Sequence, residues 1–196
     1  MELETLLRPV VLIPAAGGFF VLVGVVVGLA RLASARKVEG AQKLWAHGAW
    51  SLWTGGEDSG AWSPDRAAQA LASWYGATGS GAAWEVIRGL RRGQTGNAAW
   101  DKVRALDLLR IATAAGYVDA ESCWNESAAI GTELQSHYRG WEELAHAFER
   151  GMHAWQTSRG IDDPTELGRV QRNLPKLRAE VWPHVSFDAP LRSNDD

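Results

Sequence analysis

The residues best suited to chemistry fall into two groups. Glu142, His146, Glu149 and His153 are spaced i, i+4, i+7 and i+11, so a helix would carry all four along one stripe. Carboxylates and imidazoles placed that way ligate metals in helix bundles, where Glu and His project inward from facing helices. The Glu-x-x-His pairing of di-iron bundles is missing, because here the order is His146-x-x-Glu149. Glu and His at i,i+4 also pair with each other on a solvated face. The spacing favours that reading, and no metal or other cofactor is expected. The second group is Asp101 and Arg104, at i,i+3 in the most apolar helix of the soluble part. Against a buried surface they would form a bidentate ion pair that fixes packing; in a cleft, Arg104 would hold an anionic substrate group. Spacing alone does not separate the two roles.

Other catalytic signatures are absent. There is no Walker A sequence, no G-x-S-x-G turn and no H-E-x-x-H helix, and the segment Gly76 to Gly81 has no phosphate-loop lysine. The single Cys123 excludes an intramolecular disulfide and a Cys-rich zinc site.

The elements that must position these residues are helices. Ser63-Pro64-Asp65 supplies an N-cap, a first-turn proline and an acid, opening a helix toward Tyr75. Ala83 to Arg92 predict a second, and Asn97 caps a long third through Ala115 with a wide apolar stripe. Asp119 opens a fourth toward Tyr138, Trp141 to Trp155 form a fifth, and Asp163-Pro164 opens a sixth that Pro175 should break. No alternating strand pattern of any length occurs, so the expected class is all-α: one transmembrane helix followed by a compact helical bundle. Trp74, Trp84, Trp100, Trp124, Trp141 and Trp155 fall at apolar positions and are expected in the core, with a cage for a cationic ligand as the weaker alternative. Trp45, Trp50 and Trp53 are expected at the membrane interface or packed as a linker, followed by a flexible connection over 55–61.

Pro9 to Ala30 are 22 residues without a charge. As a helix they would extend about 33 Å, enough to cross a hydrocarbon core of roughly 30 Å. A signal peptide fits less well, because the start is acidic and the run is long. Arg31, Arg36 and Lys37 follow the run while Arg8 alone precedes it, which places the N-terminus outside and the rest in the cytoplasm. Gly24 and Gly28 form a GxxxG pair with Gly17 on the same stripe, a surface for homo-oligomers or for another membrane protein. Residues 1–37 carry four basic and two acidic residues, the remainder 16 and 21, so the net −3 combines a +2 anchor with a −5 domain. That balance makes nucleic acid an unlikely partner. The expected organisation is an anchor over 1–37, a juxtamembrane helix or linker over 38–61, a cytoplasmic helical domain over 62–187 and a disordered tail over 188–196.

One family resemblance joins these features. Ser73-Trp74-Tyr75-Gly76-Ala77-Thr78, Ala99-Trp100-Asp101 with Arg104, and Ala115-Gly116-Tyr117 resemble the bacterial family catalogued as domain of unknown function 1266. Leu134-Gln135, Tyr138, Trp141-Glu142-Glu143-Leu144, Phe148, Gly151 and Trp155 continue the likeness, which covers about residues 62–156. It implies a compact helical bacterial domain without an established activity, sometimes found around interbacterial toxin systems, and carries over no catalytic residue. The expected function is a membrane-anchored interaction module, a subunit or partner-binding protein in a bacterial membrane-associated complex of the toxin/immunity or defence kind. With a bacterial family, the expected location is the inner membrane, crossed once; the lipid bilayer and a homo-oligomer or another membrane protein are the expected partners. The alternative is a membrane-tethered enzyme using Asp101 and Arg104 or the Glu142/His146/Glu149/His153 stripe; a non-enzymatic role is favoured.

Overall fold

The computed structural model describes residues 40–56, 62–161 and 164–191, all within one compact unit, Val38–Asp196. Among the described residues the fold is entirely helical: α1 over residues 40–54, α2 Pro64–Tyr75, α3 Ser80–Arg91, α4 Ala98–Ala114, α5 Ala120–His137, α6 Trp141–Ser158 and α7 Pro164–Lys176. The predicted caps form. Ser63 Oγ accepts from the Arg66 amide (3.3 Å), Asn97 Oδ1 from the Trp100 amide (2.9 Å) and Asp119 Oδ1 from the Ser122 amide (2.8 Å). Gly76 closes α2 in the left-handed region at φ 67°, which frees its N–H to reach the Ala72 carbonyl.

α4 is the centre of the unit. It packs against α2, α3, α5 and α6, and so is buried nearly all round rather than along one stripe. Trp100 lies against Phe148 of α6, their ring centroids 5.2 Å apart, and Trp53 of α1 packs on both. Pro175 does not break α7 as expected. The helix runs on to Lys176 and then widens into a π turn, Leu177–Val181, and a 3₁₀ turn, Trp182–His184. In the π turn the backbone closes one residue wider, with the Trp182 N–H reaching the Leu177 carbonyl.

α1 and the C-terminal segment depart most from the expected organisation. Trp45, Ala49, Trp50 and Leu52 are buried core residues: the segment packs against the domain, the second of the two expected roles, and goes further by forming part of its core. Trp45 stacks near Trp141 (5.1 Å), and Trp141 lies face to face with Trp182 (5.7 Å, 4°). The indole N–H groups then tie the chain's end over α1: Trp45 donates to the Phe187 carbonyl (2.7 Å), Trp141 to Val185 (3.0 Å) and Trp182 to Gly48 (3.3 Å). Gln135 adds bonds to the carbonyls of Phe187 and Ala189 (2.6 and 2.9 Å). The ordered domain therefore extends from residue 40 through Leu191, and the part of the tail over 188–191 is packed. A buried indole N–H needs a partner; carbonyls of the terminal strap supply it for Trp45 and Trp141, and the Gly48 carbonyl of α1 supplies it for Trp182.

Among the described residues no helix is long and apolar enough to cross a membrane. The run Pro9–Ala30 and its Gly17, Gly24 and Gly28 lie outside the described residues, as do residues 57–61 of the connection expected over 55–61 and the last five residues.

Candidate functional site

A cleft of about 850 Å³ opens between the C-terminal end of α2, α3, the loop after it, α4 and the end of α6. Trp74, Tyr75 and Trp155 give it aromatic surface, and Arg92, Arg104 and Arg159 give it positive charge against one acidic lining residue, Glu85. Trp74 is 61% exposed, contrary to its expected place in the core. α2 buries Ala67 and Leu71, and Tyr75 takes the inward position in the last turn, leaving Trp74 on the rim. Arg92 and Arg159 are the C-terminal caps of α3 and α6. Both helix ends thus place a cation where the carbonyl ends are bare, and both point the same cleft out.

Arg104 is held by rings. Its guanidinium carbon lies 5.0 Å from the Trp100 ring, 5.5 Å from Tyr75 and 5.7 Å from Trp155. Burial pushes the Tyr75 phenol up, and the Arg104 guanidinium beside it pulls part of the way back. Among the described residues, none of Arg92, Arg104 and Arg159 makes an ion pair.

The Asp101–Arg104 pair does not form. Asp101 is fully buried and gives one oxygen to the Thr95 amide (2.7 Å) and the other to the Thr95 hydroxyl (3.0 Å). Side chains on a helix lean toward its N-terminus, so Asp101 turns back onto the loop preceding α4 while Arg104 turns to the cleft. Asp101 is thereby a positioning residue: it pins the loop whose Gly93, Gln94 and Thr95 line the rim. Lys102 secures the same loop from its other end, donating to the Arg91 carbonyl (3.0 Å) and pairing with Glu133 (2.7 Å). Arg91 in turn bridges Glu126 (2.8 Å) and Glu133 (2.7 Å) on α5. Burial pushes Glu133 up, but Lys102 and Arg91 outweigh it and hold its carboxyl below the usual range.

The four-residue stripe of α6 is committed elsewhere. Glu142 forms a two-pronged pair with Arg178 (both bonds 2.7 Å), which holds its carboxyl low. His146 Nδ1 lies 3.6 Å from Glu149, and His153 is exposed. No group of three metal-capable side chains occurs among the described residues. Cys123 is buried, and burial pushes its thiol up, which makes it a poor nucleophile.

The profile of a family described as protein of unknown function (DUF1266) matches residues 57–181. The chain belongs to that family. The match runs further than the resemblance over 62–156 and takes in α7 and the π turn. No curated protein and no solved structure matches the chain. Much of the motif set of the DUF1266 resemblance borders the cleft or supports it: Trp74, Tyr75, Trp100, Arg104 and Trp155 meet there, while Asp101 holds the rim. Arg92 and Arg159 were missed as site residues; their place at helix ends was the available signal.

Proposed function

We propose that the chain is a membrane-tethered binding module of a bacterial membrane-associated complex, and that its domain captures an acidic segment of a partner protein in this cleft. The observation that carries the reading is the gathering of Arg92, Arg104 and Arg159 around one opening, in a domain that is acidic as a whole. Guanidinium groups match carboxylates in geometry, and Arg, Trp and Tyr dominate the energetics of protein interfaces. Three such cations set among Trp74, Tyr75 and Trp155 suit carboxylates spaced along a peptide, and the acidic remainder of the surface repels that peptide elsewhere. The tether rests on the uncharged run Pro9–Ala30, with the domain in the cytoplasm by the charges that flank it. Gly17, Gly24 and Gly28 would serve self-association or docking on another membrane protein. The toxin/immunity or defence setting is supported by the family resemblance alone. The enzymatic alternative loses its acid, because Asp101 is sealed against Thr95 and Glu142 is bound to Arg178.

The test uses the full chain in detergent micelles and a glutamate-rich peptide, with tryptophan emission as the signal. Binding should weaken with salt and by about tenfold or more when Arg92 and Arg159 are both changed to Glu. Equal binding of glutamate-rich and lysine-rich peptides, or no effect of the charge reversal, would overturn the reading. Recovery of the full chain in the soluble fraction of cells would remove the tether.

A further inference from the structure

Trp74 belongs to two surfaces. Beyond the rim of the cleft it walls a shallow groove of about 280 Å³ together with Trp62, and Arg66, Gln69, Ala70 and Ser73 complete the lining. Building on the capture of an acidic segment by the cleft, we propose that this groove seats one large uncharged apolar side chain of the same segment. The recognised sequence is then an apolar residue with carboxylates on either side of it.

The groove follows from the register of α2. Arg66, Gln69, Ala70, Ser73 and Trp74 recur at i, i+3, i+4, i+7 and i+8, so they share one stripe, while Ala67 and Leu71 are buried on another. A helical side chain leans toward the N-terminus, which carries the Trp74 ring back toward Ala70 and Trp62. The two indoles meet edge to face, their centroids 6.0 Å apart at 70°. Trp74 is 61% exposed all the same. An exposed tryptophan beside a second ring, rimmed by polar groups, marks a contact surface, and tryptophan is among the residues that dominate interface energetics.

Charge decides what the groove accepts. No carboxylate lines it, and the Arg66 guanidinium stands over the Trp62 ring at 4.5 Å. A cationic side chain would therefore meet a like charge and no counter-charge. A carboxylate laid on the rings would meet the negative faces of their π systems. An uncharged apolar side chain avoids both penalties. Carboxylates fit at the two ends instead, with Arg66 in the groove and Arg104 in the cleft. Arg104 is held at 5.5 Å by the ring of Tyr75, the residue that follows Trp74. Because Trp74 lines both openings, one extended segment passes from the cleft into the groove along a continuous surface. A second copy of the domain is the poorer occupant, since 21 acidic against 16 basic residues after Lys37 make two copies repel.

The test compares two fluorescein-labelled glutamate-rich peptides that differ only in a central leucine or serine. Each is titrated with the full chain in detergent micelles, and protein-free micelles are the blank. Fluorescence anisotropy should show the leucine peptide binding about tenfold more tightly. Trp62→Ser, and Ala70→Gln, which fills the groove from a position outside the core, should each bring the leucine peptide down to the affinity of the serine peptide. Neither residue lines the cleft, so binding of the serine peptide should not change. The Arg92→Glu/Arg159→Glu pair should weaken both peptides. Equal, salt-sensitive binding of the two peptides would overturn the groove and leave the cleft standing, as would a leucine advantage that survives in both groove variants. Binding of neither peptide would overturn the reading of the cleft and this proposal with it. A change in the sedimentation of the chain alone in the groove variants would assign the groove to a second copy and overturn the proposal.

Discussion

Gly151 is the position where the packing beneath the cleft can be tested most directly. It lies on α6 where that helix crosses the start of α4. A Cβ added there would overlap the Asn97 amide and stand 2.6 Å from Cβ of Trp100. Carbon atoms in contact sit about 3.5–4.0 Å apart, so α4 and α6 would have to separate by roughly 1 Å, or Asn97 would have to leave. Asn97 is the N-cap of α4, bonded to the Trp100 amide at 2.9 Å. Losing such a cap costs about 1 kcal/mol, and forcing a methyl into a packed core costs about 1–3 kcal/mol. Against this, replacing a helical glycine with alanine gains about 1 kcal/mol. The net expectation for Gly151→Ala is a loss of about 1–3 kcal/mol, a fall in melting temperature of about 3–10 °C for a domain of this size. Gly89→Ala is the internal control: its nearest atom is Gln94 Oε1 at 3.6 Å, an ordinary contact, so the propensity gain should show. Thermal unfolding followed by circular dichroism measures both. If overlap with Asn97 is the cause, adding Asn97→Ala to Gly151→Ala should destabilise by less than the two single changes summed. A Gly151→Ala protein as stable as the parent would refute the geometry of this crossing.

Other consequences follow from the same contacts. Asp101→Ala should cost about 1–3 kcal/mol by leaving the Thr95 amide unpaired, and should speed amide exchange in the loop over 92–97 while α5 stays protected. Glu133 titrates below its unfolded value, so the stability it contributes is present at neutral pH and drains away as pH falls through the folded value. Urea titrations of Glu133→Gln should accordingly show a flatter acid limb than the parent; an unchanged limb would count against the Lys102 and Arg91 pairing. If the run Pro9–Ala30 spans a membrane as proposed and its glycine stripe mediates association, Gly24→Ile with Gly28→Ile should abolish self-crosslinking in vesicles.

The helices were legible in the sequence because their signals are local. Caps at Ser63, Asn97 and Asp119 act within three residues, and each makes the bond its type predicts. What stayed hidden depended on distance along the chain. Trp45 and Phe187 meet across 142 positions, and no periodicity announces that a carbonyl near the C-terminus will accept from an indole near residue 45. The Asp101–Arg104 pairing was misjudged for a related reason. Spacing of three places two residues on one side of a helix, but the loop before α4 offered Asp101 two donors that i,i+3 geometry cannot foresee. The cleft was partly readable: Trp74, Tyr75, Arg104 and Trp155 stood in the family-like motifs. Its charge was not, because Arg92 and Arg159 are 67 positions apart and come together only when α3 and α6 end at the same opening.

The physical domain and the family match do not begin at the same residue, and the difference bears on what supports the site. The match starts at 57, beyond the end of α1. Yet α1 supplies Trp53 to the Trp100–Phe148 cluster and Thr54 to a small cavity beside Trp62 and Trp74, and Trp45 packs on both Trp141 and Phe187. Without α1 those rings would face water, the Phe187 carbonyl would lose the Trp45 indole N–H, and the Trp182 indole would lose the Gly48 carbonyl. Gly48 shows how closely the helix is seated, since a Cβ there would stand 3.0 Å from the Trp141 ring. A chain cut at residue 57 should therefore expose apolar surface and aggregate, whereas one beginning at residue 38 should fold. It follows that α1 belongs to the core of the domain. Any displacement of α1 reaches Trp53 and Trp100 directly, and Trp100 is the ring against which Arg104 is held in the cleft.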